Sequence, residues 1–153
     1  MGYVDKNLMG KEAVIFQGRL HWNVYIFPVI FTAVSLYPLF LGISEQYYYP
    51  ALALFAVDLL LFLHPWMKTK TSEFAVTDKR IIMKVGIFEV KTLEMFLNKV
   101  ENIGVNQTIP GRALNYGEVI ITGSGGTKEV FANIARPYEF RKSAQEQISR
   151  TGS

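Results

Sequence analysis

Catalysis and metal binding need titratable or nucleophilic side chains at matched spacings, and this chain carries few of them. It has no cysteine and two histidines, His21 and His64. Thiolate chemistry, cysteine-ligated zinc and iron–sulfur clusters are therefore excluded. No run of His, Asp and Glu has metal-ligand spacing, and no paired carboxylates suit acid–base work. The expectation is no catalytic residue, no metal and no cofactor. Gly123-Ser124-Gly125-Gly126-Thr127 has the glycines of a phosphate cradle. It lacks the lysine and following helix of a P-loop, and reads as a hairpin turn.

Three groups of residues remain. Asp58 lies near the middle of a long apolar stretch, where an ionised carboxylate costs at least about 2.5 kcal/mol. Counted outward from Glu45, it is level with Thr32, so a Thr32–Asp58 hydrogen bond would join two apolar segments. A proton or ion pathway, or a contact between protomers, are the alternatives. His64 is six residues from Asp58 and falls on a different helix face. The second group is Lys79, Arg80, Lys84 and Lys128, either a solvated charged face or a patch for anionic lipid headgroups. Each nearby cation contributes about 1 kcal/mol to such binding. The third is Arg112 and Tyr116, in a loop bracketed by Gly111 and Gly117. Arg and Tyr suit a protein contact, and turn chemistry accounts for the glycines.

The elements that must position these groups follow from charge and hydropathy. The chain has 153 residues, half of them apolar, enough for one domain or a small domain with an appendage. Disorder is excluded by that composition. The net charge of +3 conceals an uneven spread, because all 16 Lys and Arg lie outside residues 22–67. That block holds only Glu45 and Asp58 as charged residues.

Within it, Trp22 to Ile43 is an uncharged run of 22 residues. As a helix it spans about 33 Å, enough for a hydrocarbon core of about 30 Å. Tyr47 to Met67 is a second apolar run, with Asp58 as its one charged residue. Only Ser44, Glu45 and Gln46 separate them, so the two helices are expected to be antiparallel neighbours. Lys6, Lys11 and Arg19 precede the pair, and Lys68 and Lys70 follow it. The positive-inside rule then places both termini in the cytoplasm. Trp22 and Trp66 mark the inner boundary and Tyr47, Tyr48 and Tyr49 the outer one. Pro28 and Pro38 are expected to kink the first span. Pro50 falls in a first turn, where proline is tolerated, and Pro65 near the inner end of the second span.

After Lys70 the periodicity changes to that of strands. Runs at Glu73–Thr77, Arg80–Val85, Ile87–Leu97, Val100–Asn106, Glu118–Thr122 and Thr127–Ala132 are expected, with a bulge near Thr92 in the third. Arg136-Pro137 starts a helix on which Phe140, Ala144 and Ile148 form one apolar stripe. A small bent barrel with a helix across one opening satisfies this pattern. Nothing helical lies between the strands, which excludes a doubly wound fold.

The order Glu73-Phe74-Ala75-Val76-Thr77-Asp78-Lys79-Arg80-Ile81-Ile82, then Asn98-Lys99-Val100-Glu101-Asn102-Ile103, then Gly111 to Gly117 resembles bacterial pleckstrin-homology-like membrane proteins. These are the YdbS-like group of the second bacterial type. The resemblance runs through the whole chain, from Gly18-Arg19-Leu20-His21-Trp22 to Pro137. It implies a seven-stranded bent barrel capped by a C-terminal helix, and it supplies little biochemistry.

The expected architecture is thus a membrane α-helical hairpin of two spans, followed by a mainly-β PH-like bent barrel with a C-terminal capping helix. Residues 1–21 would be a cytoplasmic N-terminal segment, 22–67 the hairpin and 68–153 the cytoplasmic domain. The expected role is a non-catalytic interaction or scaffold module at the inner membrane. A small transport or channel subunit using Asp58, and an anionic-lipid sensor, are the alternatives. Expected partners are the bilayer, anionic headgroups, and a second copy or another membrane protein; nucleic acid is not among them.

Overall fold

A computed structural model of the protein describes residues 2–40 and 48–151. The expected link Ser44–Gln46, the tip of the first span and Tyr47 lie outside the described residues. The chain divides into two compact units, Met1–His21 with Lys70–Ser153, and Trp22–Thr69.

The first unit is built on strands, preceded by a short helix, α1 (Tyr3–Asn7). β1 (Val14–Gly18), β2 (Glu73–Thr77), β3 (Arg80–Val85) and β4 (Lys91–Phe96) form one antiparallel meander. β5 (Val100–Asn106), β6 (Tyr116–Gly123) and β7 (Lys128–Ala135) form a second sheet. β6 is buried at every second residue along its whole length, as expected when one sheet face packs on a core and the other meets water. β2 has four consecutive buried residues, from Phe74 to Thr77, because it lies inside its sheet between β1 and β3.

Six of the seven strands overlap the runs read from sequence, with β6 and β7 extending beyond theirs. The seventh does not: β1 precedes the apolar block, yet Gly18 pairs with Phe74 and Gln17 with Ala75. The outgoing chain then borders the second sheet, with Leu20 opposite Ile134 and the His21 N–H donating to the Asn133 carbonyl at 2.8 Å.

α5 (Pro137–Thr151) packs on β1, β2, β5 and β6. Its buried stripe is Phe140, Ala144 and Gln147, so the expected third position, Ile148, gives way to its neighbour. Phe140 meets Phe16 edge-to-face at 6.0 Å, an arrangement that favours the aromatic quadrupoles.

The strand expected over Ile87–Leu97 is corrected by the structure. β4 starts at Lys91 and runs in register to Phe96 without a bulge at Thr92. Gly86 causes the early turn. Its φ of +121° suits glycine, and a Cβ there would lie 1.9 Å from the Glu89 carbonyl oxygen. Bulges occur instead between Val14 and Phe16, Val100 and Asn102, and Gly117 and Val119. The expected loop at Pro110-Gly111 contains a short helix, α4 (Ile109–Leu114), capped by the Thr108 hydroxyl and closed by Asn115 in the left-handed conformation.

The second unit holds α2 (Ile26–Phe40) and most of α3 (Tyr48–Thr71), with a 3-10 turn at Trp22–Tyr25. α3 is long and apolar enough to cross a membrane; Trp22–Pro38 is a shorter apolar helical stretch. The kink expected at Pro28 is corrected as well. Pro28 is the third residue of α2, where its missing N–H costs no helical bond. Pro38 and Pro65 do lie within helices. The Thr69 hydroxyl donates to the Pro65 carbonyl at 2.8 Å.

Candidate functional site

The densest polar cluster of the strand unit centres on Arg80, at the start of β3. Sequence reading placed Arg80 on an exposed patch. The structure buries it, with 4% of its surface exposed. Its Nε donates to Glu12 Oε1 at 3.0 Å and its Nη2 to Glu12 Oε2 at 3.0 Å. Its Nη1 reaches Glu94 Oε2 at 2.6 Å and its Nη2 the Asn7 carbonyl at 2.5 Å. This fork-on-carboxylate geometry is the strong form of an ion pair. Thr77 adds its hydroxyl, 2.7 Å from Glu12 Oε1.

Burial alone would push the Glu12 carboxyl up. Hydrogen bonds from Arg80, the Met9 N–H and Thr77, with the Arg80 charge, outweigh it and hold the carboxyl below its ordinary value. The hydrogen bond to Glu12 in turn holds the Arg80 guanidinium above its usual value, against desolvation. Asn7 and Glu12 precede the apolar block, so this pair locks the N-terminal segment onto the strands. Glu73 does the same, accepting the Tyr3 and Val4 N–H groups at 2.8 and 2.9 Å. Nothing in the sequence pairs Glu12 with Arg80, which are 68 residues apart.

The other members of the proposed patch are dispersed. Lys79 is exposed in the turn between β2 and β3. Lys84 lies toward the opposite end of β3, about 16 Å of strand from Lys79, with its Nζ 4.4 Å from the Tyr3 ring centroid. Lys128 is exposed at the start of β7.

Asp58 and Thr32 do come together. The Thr32 hydroxyl contacts Asp58 Oδ2 and lies 2.9 Å from the Pro28 carbonyl. Asp58 is 2% exposed, and its Oδ1 has no hydrogen-bond partner among the described residues. An apolar cavity of about 240 Å³ opens between the helices, lined by Phe31, Val34, Ser35, Pro38, Pro50, Ala51 and Leu54. Its lining omits Asp58 and Thr32.

Arg112 and Tyr116 lie on either side of the Asn115 turn. Arg112 is exposed on α4 and Tyr116 half-buried at the head of β6. The Tyr116 ring stacks on His21 with centroids 4.9 Å apart, so it serves the fold where the chain leaves the strand unit. Gly111 and Gly117 are close approaches. A Cβ would meet the Tyr116 carbonyl oxygen at 2.7 Å and the Asn106 carbonyl oxygen at 2.6 Å, respectively. Among the described residues no group of three or more His, Cys, Asp or Glu could hold a metal ion.

A family model described as a bacterial PH domain matches residues 26–148. No curated protein and no solved structure matches the chain.

Proposed function

The chain belongs to the bacterial PH domain family, and from that membership we propose that it is a membrane-anchored, non-catalytic interaction module. The strand unit presents surfaces at the cytoplasmic face of the inner membrane, and α2 and α3 hold it there. Its ligand is a protein partner or a second copy of the chain.

The single observation that carries the anchored reading is the pairing of Gly18 with Phe74. Strands separated by the whole apolar block are hydrogen-bonded neighbours. The block must therefore begin and end on one side of any membrane it enters. A chain that crosses once through α3 has to cross a second time, and the apolar run from Trp22 onward supplies that crossing. The confinement of all 16 Lys and Arg to residues outside 22–67 supports the cytoplasmic side.

Cysteine labelling tests the topology, since the chain has no native cysteine. Met9→Cys and Lys142→Cys should react with a membrane-impermeant maleimide only after cells are permeabilised. Labelling of either in intact spheroplasts would reverse the orientation, and recovery in the soluble fraction would remove the anchor. In-membrane crosslinking from Lys79→Cys, on the exposed turn between β2 and β3, should then capture a defined partner or a dimer.

A second reading rests on the Oδ1 of buried Asp58, which has no hydrogen-bond partner among the described residues: a transport or channel subunit. Proteoliposome ion flux that disappears in Asp58→Asn would favour it. Absence of flux leaves Asp58 as the hydrogen-bonding link between the helices.

A further inference from the structure

The strand unit carries two apolar side chains that its own core cannot explain. Phe88, in the Gly86–Val90 turn, is 91% exposed, and Ile109, at the start of α4, is 86% exposed. Val90 is also half-exposed, at 49%. Burying any of them elsewhere would have been favourable, and scattered single residues of this kind need no explanation. Their positions are not scattered.

The chain leaves the strand unit at His21 and returns at Lys70. Each exposed side chain belongs to a connection tied to one of those two points. At the return, the Thr71 hydroxyl donates to the Gly86 carbonyl at 2.7 Å, fixing the turn that bears Phe88 beside the end of α3. The meander agrees, because Glu73 pairs with Lys84 and Val85 with Lys91. The turn thus lies at the end of the sheet where β2 begins. At the departure, His21 stacks on Tyr116, the residue that follows α4 and its Asn115 cap. Exposed Arg19, Lys70 and Arg112 border the same two points. Apolar tips among cations are the composition of a surface that lies in a headgroup layer.

We propose that Phe88 and Ile109 are interfacial wedges: the Gly86–Val90 turn and α4 dip into the cytoplasmic leaflet and seat the barrel rim on anionic lipid. This rests on the membrane-anchored reading above, and it names the lipid contact as an apolar rim rather than the lysines of the β2–β3 turn. Lys79 lies at the other end of β2 and β3 from Phe88. Together the two wedges hold the rim on the leaflet. Each is worth a factor of about ten or more in the ratio of seated to lifted barrel.

Nitroxide accessibility in the full chain tests it. Single cysteines at Leu60, Glu89, Arg112 and Ser124 are spin-labelled, in vesicles of equal parts phosphatidylethanolamine and phosphatidylglycerol. Collisions with dissolved oxygen report lipid, and collisions with a water-soluble nickel chelate report water. Labels at Leu60, Glu89 and Arg112 should be oxygen-rich and nickel-poor, and the label at Ser124, on the β6–β7 turn, nickel-rich. Adding Phe88→Ser should raise nickel access at Glu89 about tenfold while Ser124 stays unchanged, which excludes unfolding. Nickel access at Glu89 and Arg112 equal to that at Ser124, with Leu60 still in lipid, overturns the wedges and leaves the anchor intact. A nickel-rich Leu60 overturns both. Protection of Glu89 from both probes, fading as protein is diluted in lipid, would mean that a second copy covers the turn, and also overturns the proposal.

Discussion

Glu12 shows how one carboxylate can join two distant stretches of a chain. It is buried, fully paired with Arg80, and held below its ordinary value. Its folded value therefore lies under the unfolded one of about 4.3. Its stabilising contribution is complete above that value and is lost as pH falls through it toward the folded value. Glu12→Gln should flatten this acid limb in urea midpoints measured against pH. Glu12→Ala leaves the Arg80 charge buried without its main partner, and should cost about 3–5 kcal/mol at neutral pH. If the double variant Glu12→Ala/Arg80→Met loses as much as Glu12→Ala alone, the unpaired cation is not the source. Thr32 and Asp58 are a smaller case. A double-mutant cycle of Thr32→Val and Asp58→Ala in detergent should return a coupling of about 0.6–1.7 kcal/mol. A coupling of zero would dissolve the link between the helices.

Two elements depend on single positions. Gly86 holds the β3–β4 turn at a φ of +121°, where a Cβ meets the Glu89 carbonyl oxygen. Gly86→Ala should destabilise the barrel by about 1–3 kcal/mol and loosen the hydrogen bond from Thr71. Amide exchange confined to residues 84–92 would register it; unchanged exchange there would mean the turn tolerates a side chain. α5 depends on Phe140, which is fully buried and meets Phe16 on β1. Truncation to Ala should cost about 3–5 kcal/mol, seen as a lower denaturant midpoint with an unchanged slope. A loss under about 1 kcal/mol would mean that α5 covers the sheets without bearing on their stability.

The molecule as a whole is a strand unit interrupted, after its first strand, by an apolar insertion. β1 lies before the block and the other six strands after it, so the domain is discontinuous in sequence. Residues 70–151 alone would expose the edge of β2 and leave Arg80 without Glu12. They should fail to fold cooperatively. Residues 2–21 joined to residues 70–151 by a short glycine–serine linker should restore a soluble, cooperatively unfolding barrel, because Gly18 and Phe74 are already neighbours. Dispersed amide resonances in the joined form, and collapsed ones in the fragment, are the expected spectra. A well-dispersed spectrum from the fragment would make β1 dispensable.

Much of this architecture was legible from residue order because local patterns encode it. Arg80–Val85 and Val100–Asn106 read as strands by their β-rich composition, the C-terminal helix by its proline start and apolar stripe, and the mainly-β architecture by strand pattern and resemblance. Strand pairing between Val14–Gly18 and Glu73–Thr77 was not legible, since no local period links stretches so far apart. The same holds for Arg80. A lysine-rich neighbourhood in sequence marks a surface, but whether a cation is solvated or paired depends on which carboxylate the fold brings to it. Gly86 moved Phe88 from an expected strand to an exposed turn, because a positive φ ends a strand whatever the alternation beyond it. The sequence thus carried the elements and the charge asymmetry, which arise between near neighbours. Folding supplied the long-range pairings that add β1 to its sheet, bury Arg80 and leave Phe88 and Ile109 bare.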